Sequence, residues 1–265
     1  MSFDRASYIN EPGAIDTELR LLFSQDAPLV IFEVGACEGE DSVKYSRLFP
    51  NASIYSFEPL PENVKWIEKN FLKYGVTNAR YFNKALSSEN GTAGFYVSSG
   101  SPREAAESDW DFGNKSSSLL PPANHMDLAG FIHFDNKIEV ETITLESFCR
   151  ASSISSIDFL HLDVQGAELM VLQGAGNFIS KIKVIWLEVS KVDLYKDQPL
   201  VGDIQKFMKK NNFVLFKNAL YGVQGDQLYI SAHFFPGFRR FLLKSRLLFI
   251  SLINRVGSKI MFREK

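Results

Sequence analysis

The sequence predicts an α/β fold, a mostly parallel sheet covered by helices on both faces, closed by an antiparallel hairpin and followed by a basic C-terminal helix. Three observations carry this. Apolar runs of strand length recur at residues 29–36, 53–59, 79–86, 157–164 and 184–189, and helical patterns alternate with several of them. The early runs are apolar nearly throughout, as in strands buried on both faces. The last two apolar runs, 213–216 and 227–232, stand about ten residues apart, too close for a crossover helix, and so should pair antiparallel.

In chain order, LVIFEVGA (29–36) reads as a buried strand, and Val43, Leu48 and Phe49 mark a helix over 41–49. SIYSFEP (53–59) is a second strand, stopped by Pro59. Pro61 suits the first position of a helix whose apolar face is Val64, Ile67 and Phe71 and whose end is Gly75. ARYFNKAL (79–86) is a third strand, and GTAGFYVS (91–98) is hairpin-like. Residues 99–135 are polar, contain Pro102, Pro121 and Pro122, and show no period; a segment beyond about 15 residues of that kind inside a domain is expected to be an insert or lid. KIEVETITL (137–145) alternates like a strand. The strand–helix rhythm then resumes with IDFLHLDV (157–164), a helix at 167–175, VIWLEV (184–189) and a helix at 199–211 carrying Leu200, Ile204, Phe207 and Met208 on one face.

Composition narrows the class. Of 265 residues, 45% are hydrophobic and 23% charged, which excludes a disordered chain. Two cysteines, Cys37 and Cys149, are too few for a disulfide framework or a thiolate zinc site. MSFDRASYINEPG is no signal peptide, and no stretch reaches 18 uncharged apolar residues, so a cytoplasmic location is expected. The net charge of −2 is unevenly spread: residues 234–265 carry +7 and the rest −9. An acidic body disfavours nucleic acid as a partner. The chain is therefore read as one domain over 1–233, with 99–135 as its insert, plus a basic amphipathic segment over 234–265.

Ligands of an open α/β sheet collect at the carboxyl ends of its strands. The first exit reads Glu33-Val34-Gly35-Ala36-Cys37-Glu38-Gly39-Glu40-Asp41-Ser42. Gly35 and Gly39 permit a tight turn and close backbone approach. The spacing is G-x-x-x-G, and three acids (Glu38, Glu40, Asp41) would repel a pyrophosphate but not a cationic ammonium and sulfonium. Glu58 ends the second strand 23 residues after Gly35, where a carboxylate accepts from both hydroxyls of a ribose. A nucleoside with a zwitterionic tail, S-adenosylmethionine, satisfies both features. At the fourth exit Asp163 faces the same crevice and is the first choice for a base or a divalent-metal anchor. His161, two residues earlier on the same side of the strand, and Glu188 at the fifth strand's end are the alternatives. Glu168 opens the following helix, where a carboxylate meets the positive dipole end. His125 and His133 read as solvated residues of the insert. Two rival readings are an NAD-dependent oxidoreductase and a non-catalytic nucleoside-binding interaction protein.

FEVGACEGED, the YSFEP strand end, NKAL, the run Ser116-Ser117-Ser118-Leu119, and the succession TLESF, IDFLHLDVQGAELMVLQGA, WLEVS together resemble the FkbM family of S-adenosylmethionine-dependent methyltransferases, over residues 29–232. The resemblance implies a Rossmann-like seven-strand class I methyltransferase sheet and O-methylation of a sugar or other hydroxyl-bearing acceptor. It places Glu33, Gly35, Ala36, Glu38, Gly39 and Ser42 on the cofactor loop, Glu58 and Pro59 at the ribose, Ala85 at the adenine edge and Asp163 at the transfer cleft. Glu33 stands where the family often has Asp, Gln165 where an acid is usual, and His161 where a lysine is common. In the tail, Phe238, Phe241, Leu242, Phe249, Leu252, Ile253, Val256 and Ile260 fall at helical spacing among bases. Such a helix either lies peripherally on an anionic membrane or packs against protein.

Overall fold

A computed structural model describes residues 4–102, 110–124, 130–237 and 239–247. Its main sheet is built from β1 (Val30–Val34), β2 (Ser53–Phe57), β3 (Ala79–Phe82), β7 (Ile157–Leu162), β8 (Ile182–Ser190), β9 (Phe213–Tyr221) and β10 (Gln224–Ser231). The seven strands lie in the order β3-β2-β1-β7-β8-β10-β9, parallel except for β10, which runs against both neighbours. Chain order reverses between β1 and β7, where a Rossmann-like sheet opens its crevice.

Alternation along these strands sorts side chains into two cores. Phe32, Val34, Leu160, Leu162, Ile185 and Leu187 face helices α5 (Leu145–Ala151), α6 (Glu168–Gly174) and α7 (Val201–Lys210). Ile31, Phe159, Val184 and Leu228 face α2 (Asp16–Leu22) and α3 (Glu40–Leu48). Every residue of β7 is buried. Each such apolar side chain contributes about 1.5–3 kcal/mol, so the sheet centre is a rigid mount. Helix α4 (Pro61–Tyr74) starts at its proline and ends on Gly75 at φ 66°, whose N–H reaches the carbonyls of Phe71 and Leu72. Thr144 caps α5 by accepting from the Ser147 N–H at 3.1 Å.

The sheet departs from the sequence reading at several points. The apolar run 79–86 is two strands. After β3 the chain turns at Asn83, whose side-chain amide donates to the carbonyls of Glu58 and Pro59 at 2.9 Å each. Ala85–Leu86 (β4) then joins a second sheet, in the order β4-β6-β5. The hairpin-like stretch is the single strand β5 (Gly91–Ser99), and its antiparallel partner is β6 (His133–Ile143), beyond the insert. A local apolar count cannot say which edge a strand will join. The closing strands are longer than their apolar cores, and only Gly222, at φ 66°, and Val223 separate them. Two short helices, α1 (Arg5–Asn10) and α2, precede the sheet, each too brief to leave a readable period.

Gly174 sits where α6 meets the second sheet. A Cβ there would fall 2.0 Å from the Ser87 carbonyl oxygen. Gly174→Ala should therefore destabilise the fold by about 1–3 kcal/mol through overpacking, measured by urea denaturation. Ligand affinity of the folded fraction should be unchanged.

Candidate active site

Gly35 leaves β1 at φ 84°, and a Cβ on it would fall 1.8 Å from the carbonyl oxygen of Asp163. The exits of β1 and β7 thus run almost backbone to backbone, and only glycine fits. Gly39, at φ 79°, begins α3; a side chain there would press on Phe71 and Ile67 of α4. Beside this turn a cavity opens between the main sheet and the second one. Phe57, Pro59, Ala85 and Phe95 form apolar walls, and Glu58 is its buried carboxylate. The Glu58 oxygens accept from the N–H groups of Cys37 and Leu60, each at 2.8 Å, and the Asn63 side chain also bonds to the carboxylate, which keeps acceptor capacity for a ligand hydroxyl. Burial raises its pKa to about 7 against those bonds and the nearby Lys115 charge.

A second cavity lies across the glycine turn and is lined by Glu33, Ala36, Asp41, Lys115, His161 and Asp163, among others. Glu33 pairs in register with His161 on β7. Ligand atoms of Glu33, Asp41 and His161 all lie within 4.8 Å of one another. The Tyr45 hydroxyl and His161 Nδ1 share a hydrogen bond of 3.1 Å, which orients the ring. Ser42 Oγ donates to Glu33, whose pKa is raised by burial and then by the nearby Asp41. A third cavity adds Asp16, Trp186 and Asp226 beside His161 and Asp163. Asp163, exposed at the end of β7, lines all three.

The sequence profile of the Methyltransferase FkbM domain matches residues 33–215, which includes the glycine turn, Glu58, Asp163 and Glu188. The chain belongs to the FkbM methyltransferase family. It is 32% identical over 199 residues to 2-O-methyltransferase NoeI of Sinorhizobium fredii (strain NBRC 101917 / NGR234), covering 75% of this chain and 78% of the relative. Two solved structures are distant likenesses. Precorrin-6y C5,15-methyltransferase of Geobacter metallireducens GS-15 has a TM-score of 0.41 at 14% identity, over 85% of this chain and 84% of that one. M. capricolum TrmK in complex with S-adenosyl-homocysteine has a TM-score of 0.44 at 9% identity, over 83% and 68%.

The acidity read from the loop of this FkbM methyltransferase is largely compensated. Glu38 lines none of the three cavities; it is buried against Arg5, whose Nε donates to it at 2.9 Å. Glu40 takes Lys115 Nζ at 3.0 Å and has Arg5 at 3.8 Å. Repulsion of a pyrophosphate by three free acids is therefore not what this loop offers. Ser42 is fully buried beside Glu33 and Ser56, so it holds Glu33 from within the protein. Glu188 lines none of the three cavities either, and it accepts from Gln165 Nε2 at 3.2 Å. Burial and then Asp163 hold its carboxyl above the usual range. Glu168 accepts from the N–H groups of Val164 and Gly166, the local role expected at a helix start. His133 is exposed at the start of β6, and His125 lies outside the described residues.

Three residues of the site escaped the sequence reading, and a fourth, Gln165, stood there only as a departure from the family's usual acid. Arg5 and Tyr8 come from α1, which has no motif; the Tyr8 hydroxyl donates to Asp41 at 2.9 Å. Lys115 stands directly before the serine run that carried the family resemblance, and that adjacency was its one signal. Gln165, at φ 53°, donates to Asp163 at 2.7 Å and accepts from the Tyr195 hydroxyl at 3.1 Å, so an amide bridges Asp163 and Glu188.

Two pH effects follow from the buried carboxyls. Ionised Glu58 accepts from two hydroxyls and protonated Glu58 does not, so S-adenosylhomocysteine should bind more tightly as pH rises through about 7. Calorimetry should show that dependence, and Glu58→Gln should bind weakly with the dependence flattened. Without ligand, stability should move the other way. Glu58, Glu168 and Asp226 titrate near 7, 8 and 7 in the fold, above their ordinary 4.5, 4.5 and 3.8. The unfolded chain then releases those protons first, so the melting temperature should fall between about pH 5 and pH 8.

Proposed function

We propose that the protein is an S-adenosylmethionine-dependent O-methyltransferase acting on a hydroxyl of a sugar or similar small polyhydroxylated acceptor. The observation that carries this is the position of Asp163 at the junction of three cavities. One of them offers a buried diol acceptor in Glu58, and another offers carboxylates and an indole to a hydroxylated ligand. The relative named as a 2-O-methyltransferase supports oxygen as the acceptor atom.

When bound, the donor supplies a methyl group on a sulfonium, whose departure leaves a neutral thioether. Glu58 holds the ribose diol, with Pro59 and Ala85 on the apolar walls of the same cavity. Asp163 takes the acceptor's proton as the new C–O bond forms, and Gln165 keeps its carboxylate turned toward the crevice. His161, oriented by Tyr45, is the second base within the shared cavities. Holding the acceptor oxygen in line with the sulfur–methyl bond itself lowers the barrier by several kcal/mol. Glu188 acts through Gln165 rather than on the acceptor. A divalent cation, if the reaction uses one, would be held by Glu33, Asp41 and His161 rather than anchored on Asp163.

Asp163→Ala should lower turnover by about 10²–10⁴-fold while S-adenosylhomocysteine still binds within a few-fold. Radiolabelled methyl transfer to host polysaccharide extracts and calorimetry measure the two. Normal turnover by Asp163→Ala would make His161 the base.

We further propose that the C-terminal segment rests on an anionic membrane surface. Residues 239–247 are helical, and Leu243 is buried in the core beneath α2. Phe241 and Leu242 are 68% and 44% exposed on the other side, among the exposed bases Arg239, Lys244 and Arg246. Exposed apolar side chains flanked by cations match the headgroup boundary of an acidic bilayer. No helix among the described residues is long and apolar enough to cross a membrane. Full-length protein should float with phosphatidylglycerol vesicles and not with phosphatidylcholine ones, and Phe241→Ser/Leu242→Ser should lose most of that binding. Equal flotation with both lipids, or none with either, refutes the assignment.

A further inference from the structure

The second cavity combines opposite charges in a way the methyl-transfer chemistry does not require. Its lining carries Glu33, Glu40, Asp41 and Asp163, and among the described residues lining it Lys115 is the one lysine or arginine. Lys115 belongs to a short turn of the insert, Asn114–Ser116. Its Nζ lies 3.0 Å from Glu40, 3.5 Å from Cys37 Sγ and 3.9 Å from the centre of the Trp110 ring. The same side chain lines the first cavity, so it stands where the two spaces meet.

Neighbouring bonds hold that turn in place. The Asn63 side-chain amide donates to Asn114 at 3.2 Å, and Tyr195 donates to the Ser116 carbonyl at 2.7 Å. Ser118 exchanges backbone bonds of 2.8 and 3.0 Å with Tyr96, and its hydroxyl donates to the Gln165 carbonyl at 2.7 Å. The ammonium is thus pre-positioned, and little ordering remains when an anion arrives. Glu40 does not depend on Lys115 alone, since Arg5 also faces it.

We infer that Lys115 is the counter-ion of the donor's α-carboxylate, and that the second cavity receives the donor's zwitterionic amino-acid end. The inference rests on the proposed cofactor. A carboxylate entering a space walled by four acids would be expelled unless one cation met it, and a buried ion is tolerated only when paired. The donor's ammonium has the complementary place at the carboxylates of Glu33 and Asp41, whose ligand atoms converge within 4.8 Å with His161, and a divalent cation bound there would take that place instead. The insert would then read the end of the donor remote from the adenine.

The test varies the ligand's carboxylate and the protein's lysine together. Calorimetry compares S-adenosylhomocysteine with its decarboxylated analogue, S-adenosyl-3-thiopropylamine, on wild-type protein, Lys115→Met and Lys115→Arg. Wild type should favour the carboxylate-bearing ligand by about tenfold to a hundredfold, the range of a hydrogen bond to a charged group. Lys115→Met should bind the two within about twofold, because the coupling has lost one partner. Lys115→Arg should keep the preference. A preference that survives in Lys115→Met, or is missing in wild type, overturns the inference while leaving the cofactor assignment standing. Wild-type protein that binds neither compound removes that assignment too. Should Lys115→Met fail to fold, the neutral Lys115→Gln replaces it with the same outcomes.

Discussion

Two parallel strands leave the centre of the sheet so close together that no side chain fits between them, and the site depends on that contact. Asp163 N–H donates to the Val34 carbonyl at 3.0 Å, which extends the β1–β7 ladder past its last paired residues, and Gly35 then passes under the Asp163 carbonyl. Gly35 and Ala36 in turn donate to the Phe57 carbonyl at the end of β2, at 3.0 and 2.9 Å. Three strand exits are thereby locked by backbone bonds. The side chains they project, Glu58 from one and Asp163 from another, have fixed positions before any ligand arrives.

That geometry concentrates negative charge. Glu33, Asp41, Glu58, Asp163 and Glu188 gather around the crevice, and burial pushes several of them toward the neutral form. The fold offsets this from outside the sheet. Arg5 reaches in from the first helix, Lys115 from the insert, and Gln165 supplies an amide between Asp163 and Glu188. Positive and negative groups in one cavity make a receptor for a zwitterion, whereas a cavity of acids alone would suit only a cation. In a related sequence with an acid at position 165, Asp163 and Glu188 would gain a like-charged neighbour in place of a hydrogen-bond donor.

The second sheet gives the first cavity its far wall. Ala85 and Phe95 come from strands that pair with β6, and Leu119 of the insert packs against them. The described part of the insert is therefore a wall bonded to β5, to the turn at Gln165 and to Tyr195. An apolar slot formed between two sheets can exclude water from a flat aromatic ligand, while Glu58 at its edge remains able to accept from hydroxyls.

Much of this was legible in the amino acids. Buried apolar runs alternating with helical faces determined the parallel sheet, because each run is hydrophobic on both faces and only a covered sheet can bury it. Glycine at positions 35 and 39 and carboxylates at 33, 58 and 163 marked the strand exits, since their places are counted along the chain from elements that periodicity already locates. Tertiary structure alone decided what those groups face. Whether Glu38 points to a ligand or to Arg5, 33 residues away, is a matter of packing and not of spacing. The splitting of 79–86 between two sheets, the pairing of β5 with β6, and the placing of Lys115 beside Glu40 likewise depend on contacts between distant segments. Local composition is blind to such contacts, because which partner a strand edge or a charge finds is settled only when the rest of the chain has folded around it.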